Sequence, residues 1–351
     1  MQDKFGKIER ENLEKIFTRQ TGAFCSNILQ GPKFGVDTAI VRLSENKGLV
    51  IASDPTSLIP ALGLKESAWL SVILTANDVA TSGFLPHYAQ FVLNLPNDIS
   101  NADLEQYWQH IHFFCSDIGI SITGGHTGFG DIGKSTIAGG VTMFAEADLS
   151  QIKSTAYTKP NLDLIVTKSA ALSAAAILAR SFPNYTAHHL GHQTQQELMN
   201  TFYQMAIFKE VEAIRSKSSI FKSVVAMHDV TEGGILGAVL ELAEAGEVGV
   251  TIRQELIPLG DNQKKLCELF EIDPYQSLGA GSLLIACEKE ITQDLIVLLK
   301  NEGIDANKIG ETTENKDERY IICEGKKQKL NYTDEDPYWG TFFTAMAKNL
   351  D

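Results

Sequence analysis

The run Gly128-Phe-Gly-Asp-Ile-Gly-Lys-Ser-Thr-Ile-Ala-Gly-Gly-Val-Thr-Met-Phe144 can be read in two ways that lead to different folds. Its first eight residues satisfy the phosphate-loop pattern G-x-x-x-x-G-K-[ST], and the same glycines satisfy G-x-G-x-x-G. Both motifs need a helix leaving the loop, because a helix N-terminus supplies the amides and the dipole that hold phosphate. What leaves here is Thr136 to Phe144, which is β-branched and carries a Gly-Gly pair. That composition predicts a strand, so both matches are read as coincidental and Lys134 as unimportant for phosphate binding.

Working outward, the neighbouring segments fit a mixed α+β order. Residues 35–43 and 48–54 are β-rich runs divided by the turn-like Ser44-Glu-Asn-Lys47. From Lys65 the spacing turns helical: Trp69, Val72, Ile73, Ala76, Val79 and Ala80 form one apolar stripe, ended by Gly83 and Pro86. A strand (88–95), a helix opened by Ser100-Asn101, and strands at 120–123 and 136–144 complete this half. The order β-β-α-β-α-β-β mixes hairpins with crossovers, which favours α+β over a doubly wound sheet. A polar stretch near 148–160 separates the halves, and the domains are set at 1–157 and 158–351. The second half is expected to hold a strand at 163–167, a long helix at about 194–216 and a strand at 224–228. A helix at 231–245, strands at 249–258 and 279–287, a helix at 292–302 and a last helix after Asp336 follow.

The chain has 351 residues, 44% of them hydrophobic, and a net charge of −14. Such a surface repels phosphate backbones and anionic headgroups, so neither nucleic acid nor membrane is an expected partner. No apolar run is long enough to span a bilayer, and the first residues lack the apolar stretch of a signal peptide. The five cysteines are widely spaced, with no Cys-x-x-Cys. That pattern indicates a reduced, cytoplasmic protein rather than a disulfide scaffold or zinc ribbon.

Four aspartates stand near element ends. Asp37 opens the first strand, Asp54 closes the second, Asp78 follows Asn77 late in the first helix, and Asp229 follows His228 at a strand end. Carboxylates so placed can converge on Mg²⁺, a hard cation that prefers oxygen ligands and keeps phosphate and water in its shell. Any one of them alone is a common turn or capping residue. Gly124-Gly-His-Thr-Gly128 follows a predicted strand, and its glycines let amides approach phosphate oxygens closely. Asp229-Val-Thr-Glu-Gly-Gly234 opens a helix whose positive end can face an anion.

Six ordered blocks resemble one family: Gly-Val-Asp-Thr-Ala (35–39), Ala-Ser-Asp (52–54), Ala-Asn-Asp-Val-Ala-Thr-Ser-Gly (76–83), Gly-Gly-His-Thr-Gly (124–128), His-Asp-Val-Thr-Glu-Gly-Gly (228–234) and Leu-Gly-Ala-Gly-Ser-Leu-Leu-Ile-Ala (278–286). They are similar to the aminoimidazole-ribonucleotide-synthetase-related (PurM-like) superfamily, and Gly31-Pro-Lys-Phe-Gly-Val-Asp37 with the His-Thr-Gly block points to its hydrogenase-maturation, HypE-like branch. The resemblance spans about residues 30–345. It implies a two-domain α+β subunit, a homodimer whose N-terminal sheets join, and ATP held with Mg²⁺. It further implies that Asp37, Asp54 and Asp78 serve the metal. Asn77, Gly124, Gly125, Thr127 and Gly128 would serve the nucleotide, and Asp78, His126 and Asp229 the chemistry; from its place after Pro32 and shortly before Asp37, Lys33 either reaches the ATP phosphates or is an exposed loop lysine. The implied reaction is phosphorylation or dehydration of an amide- or carbamoyl-type group on a small-molecule or protein-bound acceptor.

Three departures qualify that inheritance. The usual Gly-Asp-Asp is Gly35-Val36-Asp37, which removes a carboxylate. His126 stands where kinase-like members carry an acid; a neutral imidazole is a poor Mg²⁺ ligand, whereas a protonated one could contact phosphate. The chain ends Ala-Lys-Asn-Leu-Asp351, without the terminal cysteine of HypE proper. A degenerate, non-catalytic nucleotide-binding protein is therefore the alternative. Elsewhere, His188, His189 and His192 read as a solvated loop, with zinc binding by an i, i+4 pair as the alternative if the segment is helical; Phe202, Tyr203, Met205 and Phe208 read as core, and Glu241, Glu244 and Glu247 as a solvated helix face.

Overall fold

The computed structural model describes residues 6–8, 10–133, 135–331 and 335–350. Lys134 lies outside the described residues. The chain divides into two compact units. One holds residues 26–30 and 37–152; the other is assembled from residues 6–25, 31–36 and 153–350. No described helix is long and apolar enough to cross a membrane.

The larger unit begins with a short helix, α1 (Arg10–Asn12), which runs into a π-helical turn. The inserted unit then contributes strands β1 (Ile28–Gln30), β2 (Ala39–Arg42) and β3 (Lys47–Ser57), helix α2 (Leu64–Thr81), β4 (Tyr88–Pro96), α3 (Asn101–Asp117), β5 (Ser121–Gly130) and β6 (Ile137–Asp148). They build a sheet of order β1-β2-β3-β6-β4-β5, antiparallel except for the β4–β5 pair. The hairpin at 44–47, the stripe of α2 and the Ser100 cap, whose side chain accepts the Asp103 amide, follow the sequence reading. Strand β6 is the one predicted to leave the glycine loop, so that loop does not feed a helix.

Alternation along β4 separates the faces of this sheet. Ala89, Phe91, Leu93 and Leu95 are buried, whereas Tyr88, Gln90, Val92 and Asn94 are exposed. Helix α2 seals one face through Trp69, Val72, Ile73 and Ala76, and α3 adds Tyr107, Ile111 and Phe114 to the core. One expectation needs correction: the strand predicted to stop at 123 continues through Gly124-Gly-His-Thr-Gly128 as β5. Gly125 explains how. It pairs with Phe91 at φ 146°, and a Cβ there would overlap the Phe91 carbonyl, so only glycine allows this close pairing.

The larger unit continues with β7 (Leu162–Thr167), α4 (Leu172–Ser181), α5 (Pro183–Leu190), α6 (His192–Asn200), α7 (Phe208–Ser216), α8 (Ser218–Ser223), β8 (Val224–Asp229) and α9 (Gly234–Ala245). It closes with β9 (Gly249–Arg253), α10 (Asp261–Leu269), β10 (Leu283–Glu288), α11 (Thr292–Asn301), β11 (Ala306–Thr313), β12 (Arg319–Cys323), β13 (Lys326–Lys329) and α12 (Pro337–Ala347). The sheet order is β13-β12-β9-β11-β7-β10-β8. Every residue of β7 is buried, as its uninterrupted apolar run requires, and α9 packs Ile235, Ala238, Val239 and Leu242 into the same core.

Three predictions differ here. The long helix at 194–216 is broken by a 3₁₀ turn at Thr201–Gln204. The buried Lys168 ammonium takes the carbonyls of Gln204 (2.9 Å) and Ala206 (2.7 Å) and pairs with Glu210 (2.8 Å), drawing on carbonyls that a continuous helix would use itself. Phe202, Met205 and Phe208 are nevertheless core residues. The histidine-rich segment is helical rather than a loop: Pro183 occupies the first turn of α5, where its missing N–H costs nothing. Gly191 then breaks the chain between His188 and His192, so these two lie on different helices and both are exposed. Glu241 and Glu244 are not solvated. Lys7 pairs with Glu241 at 3.5 Å, and both Arg10 and Arg319 pair with Glu244. Only Glu247, past the end of α9, is exposed.

Candidate functional site

In the inserted unit, hydrogen bonds between the end of β3 and α2 set the relative positions of Asp54 and Asp78. Ser71 of α2 donates its hydroxyl to the Ser57 carbonyl at 3.1 Å and accepts the Ser57 amide at 2.7 Å. Ile59 and Ser67 are joined in the same way at 2.9 Å, so α2 runs back along β3. Asp78 lies seven residues beyond Ser71, two turns and about 10 Å along the same helix face. Asp54 lies three residues before Ser57, also about 10 Å along the strand. The two carboxylates therefore reach the same height, with Asp54 on the side of β3 that also carries Val50, Ala52 and Thr56, all buried. Asn77 is fully buried beside Asp78. Asp37 precedes β2, whose ladder starts with Ala39 opposite Ile51.

The 124–128 segment stands elsewhere on the sheet. Asp54 pairs with Val141 and, through it, lies in the row of Phe91 and Gly125; the next row is Pro55, Gly140, Val92 and His126. Because successive rows alternate faces, His126 shares the helix-free face with Val92, whereas Asp54 faces the helices. Within this unit the structure therefore does not bring His126 together with Asp54 and Asp78. Thr127 pairs with Leu93 and Gly128 with Asn94. Since β5 is an edge strand, one side of its backbone remains outside the ladder, so amides are offered by a strand edge rather than by a loop.

In the larger unit, Asp229 is the last residue of β8 and is 1% exposed. It is followed by the 230–233 turn into α9. His228 Nε2 lies 2.8 Å from Glu241 Oε2, with both residues buried. Burial alone would push the Glu241 carboxyl up. The Lys7 charge and the His228 bond outweigh it and hold this group at about 2. Lys33, expected near phosphate, donates its ammonium to the Ala245 carbonyl at 2.7 Å, at the negative end of α9. Glu241, Glu244 and Ala245 thus receive Lys7, Arg10 and Lys33 in turn. Nothing in the local sequence signals these partners, which come from the far end of the chain. Asp336 was read only as the start of the last helix. Its second contact, with the Gly233 amide, has no sequence signal either.

Two mixed sheets with helices packed against them define a two-unit α+β protein. The chain belongs to the AIR synthase related protein family, matching its N-terminal domain over residues 35–145 and its C-terminal domain over residues 159–323. Similar relatives include a Methanocaldococcus jannaschii protein named for hydrogenase expression/formation, 24% identical over 73% of this chain and 72% of its own length. The carbamoyl dehydratase HypE of Escherichia coli is 30% identical over 32% of this chain and 34% of its own. Among solved structures, a HypE–HypF complex gives a TM-score of 0.70 at 16% identity, covering 92% of this chain and 99% of that one. A ThiL protein complexed with AMPPCP and TMP gives 0.69 at 19% identity, covering 94% and 99%. These two structural likenesses show the PurM-like fold.

Proposed function

We propose that this protein is an Mg-ATP-dependent enzyme that phosphorylates or dehydrates an amide- or carbamoyl-type group on a small-molecule or protein-bound acceptor. The observation that carries the reading is the shared height of Asp54 and Asp78 on β3 and α2 in a chain of the AIR synthase related family. Three carboxylates offer only oxygen donors, which suits Mg²⁺ and does not suit a soft cation. Asp37, Asp54 and Asp78 would hold the ion, and the ion would neutralise phosphate charge as the γ-phosphoryl group leaves ADP. Asn77, Gly124, Gly125, Thr127 and Gly128 would bind the nucleotide, with Asp78 and Asp229 nearest the chemistry; His126, on the helix-free face, stands apart from Asp54 and Asp78 within the subunit. Lys33 is retained in the nucleotide set only as a residue that would have to leave the Ala245 carbonyl. ATP use is supported by the AMPPCP held by the similar ThiL structure, and the amide-type acceptor by the dehydratase name of HypE. A cytoplasmic homodimer completes the reading.

Val36 favours a second reading. It stands where the family pattern has a second carboxylate, so a nucleotide-binding protein without turnover is the rival. Calorimetry with Mg-AMPPCP, followed by phosphate-release assays with candidate amides and carbamoylated peptides, separates them. Binding with turnover supports the enzyme, binding without turnover on any acceptor supports the rival, and no binding rejects both.

A further inference from the structure

The turn between β8 and α9 is held from a residue 103 positions away. Asp336 is 3% exposed. One of its oxygens accepts the Tyr338 amide at 2.8 Å and caps α12, while the other accepts the Gly233 amide at 2.9 Å. The turn needs such a hold. Gly233 and Gly234 both have positive φ, 81° and 61°, and a Cβ on Gly234 would meet the Tyr275 carbonyl at 2.5 Å. Two consecutive left-handed residues are not a conformation that the chain keeps without outside contacts.

The groups around Asp336 are few and mostly unfavourable to its charge. Glu232, the neighbour of Gly233, repels it and is itself occupied by the Lys7 amide at 2.7 Å; the Lys7 ammonium lies 3.0 Å from Thr231 Oγ1. The buried Tyr338 phenol packs beside it without supplying charge. Burial, with the help of Glu232, pushes the Asp336 carboxyl up to about 7 against the pull of the backbone amides of Tyr338, Gly233 and Leu278.

We infer that Asp336 is a positioning residue for the 230–234 turn, holding the Gly233 amide firmly as a carboxylate and loosening that hold when it takes up a proton. The chemistry is simple. A carboxylate accepts strongly at both oxygens, whereas protonation turns one of them into a hydroxyl that is a donor and a much weaker acceptor. The bonds from the Gly233 and Tyr338 amides then weaken, and the strained turn is held less firmly. The consequence for nucleotide rests on the reading above, in which Asp229, the residue that enters this turn, serves the chemistry.

The test uses the full chain and two readouts. In the nucleotide-free protein, the Gly233 amide resonance should move with pH with a midpoint near 7, and Asp336→Asn should abolish that movement. Mg-AMPPCP affinity should fall about fivefold between pH 8 and pH 6 in the wild type, the value of roughly one hydrogen bond, with this component missing in Asp336→Asn. If the variant does not fold, the wild-type Gly233 titration still decides. A Gly233 resonance that stays still in the wild type, or moves equally in Asp336→Asn, overturns the inference. Failure of AMPPCP to bind at any pH rejects the proposed function but leaves the Gly233 titration as the deciding result for Asp336.

Discussion

Glu241 and His228 form a buried pair at 2.8 Å, placed directly behind Asp229 and completed by Lys7. The carboxyl is depressed from 4.5 to about 2 in the folded protein. Its contribution is therefore present above the ordinary glutamate range and lost as pH falls from about 4.5 towards 2. Glu241→Gln should cost about 3 kcal/mol at pH 7, because a buried imidazole and an ammonium lose their shared counter-charge. Urea unfolding at pH 7 and at pH 2 checks this: the two proteins should differ at the first and nearly coincide at the second.

Asp78→Asn should weaken Mg-AMPPCP by at least about tenfold, roughly 1.4 kcal/mol, since Asp78 stands level with Asp54 on the facing strand. Chelating Mg²⁺ should weaken wild-type binding in parallel. Equal affinities in calorimetry, with and without metal and in both proteins, would remove the metal assignment.

Gly125→Ala tests the role of β5. A methyl group there overlaps the Phe91 carbonyl, so the β4–β5 pair must separate. The expected loss is about 2 kcal/mol. Hydrogen exchange should show faster amides in β4 and β5 and unchanged ones in β7–β10. Uniform exchange across both sheets would contradict the local account.

The helix-free face of the first sheet carries Ile51, Phe144 and Tyr88 in one row and Val92 in the next-but-one, with Tyr88 42% and Val92 43% exposed. An apolar sheet face of this kind is commonly covered by a second copy. Sedimentation at micromolar concentration should report a dimer, and Val92→Glu should shift it to monomer. A wild-type monomer would refute the dimer.

Lys134→Ala provides the control for the discarded phosphate-loop reading. Because β6 rather than a helix leaves that glycine run, AMPPCP affinity should change by less than about tenfold. Collapse of binding in a folded variant would reinstate that reading.

The legible parts of the molecule were those settled by near neighbours in sequence. The stripe of α2, the cap at Ser100 and the apolar run of β7 are local signals, and each produced its element. Asp54 and Asp78 sit on β3 and α2, whose short connection fixes their relative height. What failed was decided by residues far along the chain. The sequence around Glu241 and Glu244 looks like a solvated face until Lys7, Arg10 and Arg319 are laid on it. The 194–216 helix looks continuous until Lys168 claims its carbonyls. Gly124 and Gly125 suggest a loop until β4 pairs with them. His126 lies near Asp54 in the motif order but on the other face of the sheet, a separation set by register alone.

The reach of Lys7 has a consequence for how the protein is made. Its amide meets Glu232 across 225 residues, and its ammonium meets Glu241 across 234. At about 5–20 residues per second, a ribosome exposes the first segment some 10–45 s before those partners exist. During that interval the inserted sheet, complete by Asp148, can fold by itself, whereas the cationic leading segment must wait without its acidic partners. Nascent chains arrested once Asp148 has cleared the exit tunnel should therefore hold a protease-resistant β1–β6 body with a cleavable leading segment, and that segment should become protected only when α9 has also left the tunnel.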